Sequence, residues 1–115
     1  MTIAEVARTF DLTPDTLRYY EKIGLIPPVA RSRGGVRRYS DADCRWIDFL
    51  SAMRLAGVPL DALTAYARET RFGDEAAAQG QEFLREQRLR LTHRIREMNA
   101  ALERLDALLA KDGNA

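Results

Sequence analysis

The chain has 115 residues, a formal net charge of +1 and a single cysteine. This length allows one small domain with an appendage, and a core of roughly 70 residues usually gains stability from association. The near-neutral total charge gives no sign of a nucleic-acid partner. One cysteine excludes a disulfide within the chain and a multi-thiolate metal site within one subunit, and it suits a reducing cytoplasm. We identify no signal peptide, and no apolar run approaches the roughly 20 residues of a membrane span.

The first two predicted helices form a helix-turn-helix. Thr2 and Glu5 have capping-box spacing, and apolar residues follow at helical intervals, at positions 3, 6, 7 and 10. Thr13 is a favourable N-cap, and Pro14 suits the first helical position because no N–H is needed there. Two helices separated by about three residues are typical of a helix-turn-helix. The side chains that would reach phosphates and base edges in a major groove are Thr13, Thr16, Arg18 and Tyr19.

An arginine-rich hairpin, or wing, is predicted next. Extended runs at 29–30 and 36–39 flank residues 31–35, whose adjacent glycines can supply the positive φ angles of a turn. Residues 1–40 hold seven Lys or Arg against four Asp or Glu, and the basic excess lies at this hairpin. Arginines in a loop are more often solvated surface, but these follow a capped helix-turn-helix, which favours phosphate contact. The predicted contacts are Arg31, Arg33, Arg37, Arg38 and Tyr39.

Two further helices are predicted after the wing. Ser40 can cap the third helix, whose apolar residues at positions 46, 49, 50 and 53 share one face. We interpret that face as core rather than as a ligand pocket. Gly57 and Pro59 end the helix, and a fourth helix follows with an inward face at positions 60, 63, 64 and 67. Arg54, near the turn, is a candidate phosphate contact, with a surface salt bridge as the alternative.

A heptad repeat marks the last predicted helix, over residues 75–109. Apolar residues recur every seven positions in two interleaved series, and Arg88 occupies the remaining seam position. At 1.5 Å per residue the helix would be about 50 Å long, too long to bury its stripe against one small domain. We therefore expect the stripe to meet the helix of a second chain in a coiled coil. The predicted dimer contacts are Leu84, Leu91, Ile95, Met98, Leu102, Leu105 and Leu109.

Catalytic, metal and cofactor sites are not indicated. His93 stands among charged residues and is interpreted as a surface histidine, and neither GxxxxGK[ST] nor GxGxxG occurs. Asp41 and Asp43 fit the acidic first turn of a capped helix better than an acid–base pair. We expect no enzymatic activity, no metal and no cofactor. Cys44 is a candidate sensor thiol whose pKa the helix dipole could lower, although a small buried hydrophobe is the commoner role.

Three segments together resemble the MerR family of bacterial transcription regulators: IAEVA at residues 3–7, TLRYYEKIGLI at 16–26 and RRY at 37–39. Residues 53–63 are similar to the family's helix-turn-helix that supports a second wing. The resemblance implies a mainly α protein with a winged helix-turn-helix and an antiparallel dimerisation helix. The implied domains are a DNA-binding domain at 1–72, the coiled-coil helix at 73–110 and a short tail at 111–115.

The resemblance also implies a function. A homodimer would bind a pseudo-palindromic promoter element and distort over-long spacer DNA, so that RNA polymerase is affected through the DNA. The implied location is the bacterial cytoplasm, associated with the nucleoid. Metal-sensing relatives carry cysteines around the dimerisation helix, and this chain has none after Cys44. Large-ligand sensors carry a further domain, which we do not expect after residue 110.

The compact subgroup linked to aldehyde, electrophile or thiol stress resembles this chain at residues 46–49 and 104–106. That subgroup has a cysteine where this chain has Ala52, which leaves the subgroup's thiol unmatched. Two other functional classes stay open. One is a DNA-architectural, excisionase-like factor, and the other is a coiled-coil adaptor that does not bind DNA.

Overall fold

The computed structural model describes residues 1–72 and 77–113. It is mainly helical, with a two-stranded antiparallel hairpin and a long C-terminal helix, which confirms the predicted fold class. In chain order the elements are α1 (Ile3–Thr9), α2 (Pro14–Lys22), β1 (Ala30–Arg31), β2 (Arg37–Arg38), α3 (Asp41–Leu55), α4 (Leu60–Thr70) and α5 (Ala77–Gly113).

The chain divides into two compact units, Met1–Gly80 and Gln81–Ala115. The predicted domain limits at 72/73 and 110/111 stay predictions. Residues 73–76, which follow the first of these limits, lie outside the described residues. Helix α5 continues past the second limit to Gly113.

Helices α1 and α2 begin at the predicted caps. The Thr2 hydroxyl accepts a hydrogen bond from the Glu5 amide at 3.2 Å, and the Glu5 carboxylate accepts one from the Thr2 amide at 3.3 Å. The Thr2 hydroxyl also donates to Glu5 Oε1 at 3.0 Å, and this bond, with the one from the Thr2 amide, holds the pKa of Glu5 below its ordinary value. At α2 the Thr13 hydroxyl accepts from the Thr16 amide at 3.0 Å, and Pro14 occupies the first helical position. The capping residues therefore satisfy amides that no carbonyl within the helix can reach.

Helix α3 has a reciprocal cap, and α4 does not. The Ser40 hydroxyl accepts from the Asp43 amide at 3.0 Å, and the Asp43 carboxylate accepts from the Ser40 amide at 2.9 Å. Helix α4 begins after Pro59 without a side-chain cap and ends at Arg71, which has a left-handed φ of 49°. The interpretation of Asp43 as part of a capped first turn is confirmed.

The predicted hairpin forms with Ala30 opposite Arg38 and Arg31 opposite Arg37. In its turn Gly35 has a φ of 78°, a backbone conformation that residues other than glycine rarely adopt. The hairpin is short, and the arginines on both strands lie next to its turn.

The core of the Met1–Gly80 unit joins α2, α3 and α4. Its fully buried members include Leu17 of α2, Leu50 of α3 and Leu63 of α4. The Trp46 ring stacks on Tyr66 of α4 with ring centroids 6.1 Å apart, and its indole N–H donates to the Leu25 carbonyl at 2.8 Å. The aromatic stripe of α3 is therefore core, as predicted.

The predicted seam of α5 carries exposed apolar side chains in the Gln81–Ala115 unit. Leu84 and Leu91 are half-buried, and Arg88 is exposed. Five further seam residues are 52% to 70% exposed, namely Ile95, Met98, Leu102, Leu105 and Leu109. His93 pairs with Glu97 on the helix surface. Among the described residues, no helix is long and apolar enough to cross a membrane.

Candidate nucleic-acid interface

Helix α2 has one buried and one exposed face. Leu17 and Tyr20 anchor it in the core, whereas Arg18 and Tyr19 are exposed. Tyr19 is 51% exposed, so its ring and hydroxyl are available to a partner. The Arg18 guanidinium donates to the exposed Asp15 carboxylate at 2.8 Å, a surface pair that costs little to exchange for a phosphate.

The start of α2 presents two hydroxyl groups. Thr13 is exposed, Thr16 is half-buried, and their Oγ1 atoms lie 2.8 Å apart in a hydrogen bond. The positive end of the helix dipole is also located here. A phosphate oxygen approaching this end would meet a hydroxyl and a favourable helix terminus together.

Three wing arginines are exposed, namely Arg31, Arg33 and Arg38. The Arg31 guanidinium donates to the Gly35 carbonyl at 2.9 Å, across the turn. Because guanidinium groups bind phosphate oxygens through several N–H donors, this surface suits a polyanionic backbone. The structure thus exposes most of the predicted arginine cluster on the hairpin.

Arg37 differs from the other wing arginines. Its side chain is only 21% exposed, and its Nε atom lies 3.2 Å from Oε1 of Glu21, which is also 21% exposed. Glu21 belongs to the last turn of α2, so the pair joins the wing to α2. Sequence spacing could not reveal this partner, which lies 16 positions away.

Tyr39 lies inside the protein rather than on the predicted phosphate-binding surface. It is 4% exposed, and its hydroxyl is buried without a hydrogen-bond partner among the described residues. Burial raises the pKa of Tyr39 above its ordinary value. Its backbone N–H donates to the Met1 carbonyl at 2.8 Å, and its carbonyl accepts from the Met1 ammonium at 2.9 Å. The expected presentation of this ring and hydroxyl to DNA therefore does not fit its placement.

Arg54 spans the turn after α3. Its guanidinium donates to the Val58 carbonyl at 2.9 Å, and Gly57 in that turn has a φ of 86°. This contact stabilises the turn between α3 and α4. The Arg54 side chain is exposed beside this turn, and its phosphate contact stays a prediction.

Cys44 is half-buried on the first turn of α3, with its Sγ atom 3.6 Å from the Met1 sulfur. Burial raises the pKa of its thiol, and the nearby carboxylates of Asp43 and Asp41 raise it further, while the N-terminal ammonium lowers it. Desolvation and the neighbouring acids therefore act against the expected lowering of this pKa by the helix dipole. Over residues 1–72 and 77–113, no group of three His, Cys, Asp or Glu side chains could hold a metal ion.

A groove of about 490 Å³ lies between α2 and α4 and was not predicted. Tyr19 of α2 and Ile23 just after it line one side, and Leu60, Thr64 and Arg68 of α4 belong to the other. Arg68 is exposed and stands one turn after Thr64, a spacing that could have identified it as a cation on the same helix face.

This architecture and surface define a DNA-binding transcription regulator of the helix-turn-helix class. The family described as "MerR HTH family regulatory protein" matches residues 1–70. The chain belongs to the MerR family, whose members are transcription regulators and not enzymes.

The Bacillus subtilis (strain 168) HTH-type transcriptional regulator AdhR is 45% identical over 91 residues, which are 79% of this chain and 65% of that protein. The match thus spans less than two thirds of that relative.

Two solved structures are also similar. A MerR family transcriptional regulator from Listeria monocytogenes is 42% identical with a TM-score of 0.77, over 92% of this chain and 80% of that one. HiNmlR, a MerR family regulator lacking the sensor domain and bound to promoter DNA, is 30% identical with a TM-score of 0.78. That likeness covers 95% of this chain and 86% of HiNmlR.

Proposed function

We propose that this chain acts as a homodimer that binds a pseudo-palindromic promoter element and distorts the spacer DNA to control transcription. The observation that carries the proposal is the exposed apolar seam of α5, typified by Ile95 and Leu102, which are 52% and 56% exposed. A stripe of this kind is stabilised by a second helix rather than by water. Burial of each large apolar side chain contributes about 1.5–3 kcal/mol.

The proposed DNA contacts fall into two groups. The first group is exposed or lies at the start of α2, and it comprises Thr13, Thr16, Arg18, Tyr19, Arg31, Arg33, Arg38 and Arg54. The second group is half-buried or buried, and it comprises Arg37 and Tyr39. We assign direct DNA contact to the first group. We expect the second group to hold in place the surface on which the first group lies.

A twofold dimer presents two copies of α2 and the wing, and such a particle reads two half-sites related by the same symmetry. The heptad pattern does not fix the direction of the partner helix, and the antiparallel arrangement rests on the family resemblance. Distortion of the spacer would change how RNA polymerase engages the promoter without direct contact. A protein acting in this way is located with the bacterial nucleoid.

The proposed inducing signal is an aldehyde or another electrophile, on the strength of the resemblance at residues 46–49 and 104–106. Cys44 is the available thiol, but its raised pKa disfavours the reactive thiolate. A response to electrophiles would therefore involve a less reactive thiol than the subgroup's cysteine, whose position is Ala52 here.

The decisive experiment is selection of bound duplexes from bacterial genomic DNA by the purified protein, followed by titration of the best fragment at several salt concentrations. We expect a pseudo-palindrome within a long promoter spacer and binding that weakens steeply with salt. Binding and bending without a change in transcription would instead indicate an architectural factor. Weak binding that is insensitive to salt would contradict the proposal and favour an adaptor.

A further inference from the structure

The Glu21–Arg37 pair connects the two DNA-binding elements of the Met1–Gly80 unit. Glu21 lies in the last turn of α2, and Arg37 begins β2 of the wing. The Arg37 Nε atom donates to Glu21 Oε1 at 3.2 Å, and each side chain is 21% exposed. A partly buried pair is less screened by salt than a surface pair, so it retains more of its attraction.

Buried Tyr39 lies beside this pair. It follows β2 directly, and both Arg37 and Glu21 act electrostatically on its hydroxyl. The end of α2, strand β2 and the core therefore meet at one place. A change in the pair would alter how the wing is held against α2.

The state of Arg37 contrasts with that of its neighbour Arg38. Arg38 is exposed on the same strand, whereas Arg37 is half-buried and engaged by a carboxylate. If Arg37 left Glu21 to bind a phosphate, the unpaired carboxylate would remain at the end of α2, within the proposed DNA-binding surface. That exchange is unfavourable, because loss of one partner leaves a partly desolvated charge uncompensated.

We infer that Arg37 is a positioning residue: through its ion pair with Glu21 it fixes the wing relative to α2, so that both elements reach the same duplex without reordering. The inference rests on the proposed function. Fixing the wing before binding lowers the entropy lost on association, which strengthens binding without adding a phosphate contact. In this role Arg37 does not itself contact the DNA phosphate backbone.

The test is a double-mutant cycle on the full chain with the selected duplex. Glu21→Gln, Arg37→Gln and the double variant are titrated over a range of salt concentrations, and thermal unfolding confirms that each remains folded. Removal of both charges leaves the net charge unchanged. A change in binding by the double variant therefore reflects loss of the pair and not a change in total charge. Arg38→Gln is the matched control for loss of a phosphate contact.

We expect Glu21→Gln to weaken binding on the order of five-fold, and the double variant to bind no more weakly than Arg37→Gln alone. The double variant should keep the wild-type salt slope, whereas Arg38→Gln should reduce the slope by about 0.9. Hydroxyl-radical footprints of Glu21→Gln should lose protection at the wing and keep it at α2, a change that a general loss of stability would not produce.

A direct phosphate contact by Arg37 predicts different results. Glu21→Gln would then leave affinity unchanged or increase it, and the double variant would lose about 0.9 of the slope. Either result, or additive effects of the two single changes, would overturn the inference. If a variant does not fold, Glu21→Asp keeps the charge but shortens its reach, and wild-type affinity for this variant would also overturn it. Salt-insensitive binding by the wild type would reject the proposed function before the cycle is begun.

Discussion

Burial determines the chemistry of Cys44. The first turn of a helix favours a thiolate, but desolvation and the carboxylates of Asp43 and Asp41 act in the opposite direction and raise the pKa of the Cys44 thiol. A raised pKa leaves a smaller fraction of thiolate at neutral pH. Since the thiolate is the nucleophile, Cys44 in the folded protein should react slowly with electrophiles.

We therefore expect iodoacetamide to alkylate Cys44 in the folded chain more slowly than it alkylates free cysteine near neutral pH. Rates measured across a pH series should show the native profile displaced to higher pH. The same chain in guanidinium chloride serves as the control and should react at the rate of an ordinary thiol. A native rate faster than that of the denatured control would contradict the raised pKa.

Gly80 presents a conflict between helix propensity and packing. A Cβ atom at this position would lie 2.9 Å from the Tyr66 hydroxyl. The Tyr66 ring is 8% exposed and stacks on Trp46 and Phe49, so it has little freedom to move away. Although alanine favours a helix by about 1 kcal/mol over glycine, contact with the hydroxyl opposes that gain.

We expect Gly80→Ala to leave the free energy of unfolding unchanged or lower it in the wild-type chain. In a Tyr66→Phe background, which lacks the hydroxyl, the same change should increase stability by up to about 1 kcal/mol. Thermal unfolding of the four proteins measures this difference. An equal gain in both backgrounds would show that the Tyr66 hydroxyl does not restrict position 80.

At the scale of the element, two serines of α3, the N-cap Ser40 and Ser51 within the helix, have opposite expected effects. The Ser40 hydroxyl caps the helix by accepting from the Asp43 amide at 3.0 Å. The Ser51 hydroxyl is buried, and it has no hydrogen-bond partner within the described part of the chain. The same substitution therefore removes a useful bond at one position and an unsatisfied polar group at the other.

Ser40→Ala should destabilise the protein by about 1 kcal/mol, because an orphan amide loses its acceptor. Ser51→Ala should be neutral or stabilising, because it removes the cost of a buried unsatisfied hydroxyl. Chemical denaturation of the two variants measures both effects, and each variant controls for loss of a serine from this helix. Equal destabilisation by both changes would be inconsistent with the described hydrogen bonds.

The elements were predictable from sequence where their causes are local. The caps at Thr2, Thr13 and Ser40 depend on residues three positions away, and the structure confirms them. The surroundings of Arg37 and Tyr39 depend on contacts with Glu21 and Met1, which spacing along the chain does not encode. The position of the wing could therefore be predicted from the sequence. Which of its side chains remain exposed is determined by tertiary packing.

At the scale of the whole molecule, the two compact units divide the proposed work. The Met1–Gly80 unit contains α2 and the wing, and the Gln81–Ala115 unit contains the predicted apolar seam. A monomer would contain α2 and the wing only once, so it could bind only one half-site. In a dimer, binding of the second DNA-binding unit to the second half-site becomes an intramolecular step. This increases the affinity for a paired site by orders of magnitude.

Placing aspartate at both Ile95 and Leu102 should therefore yield monomers, because burial of unpaired charges in a coiled-coil seam is strongly unfavourable. Leu89→Asp is the matched control, since Leu89 is 68% exposed on the same helix but lies off the seam. Sedimentation should show a monomer for the double variant and a dimer for the control. The monomer should also lose tight binding to the full pseudo-palindrome while its weak affinity for a single half-site persists. A dimer that survives both aspartates would place the subunit contact elsewhere, and a monomer that still binds the full site tightly would remove dimerisation from the mechanism.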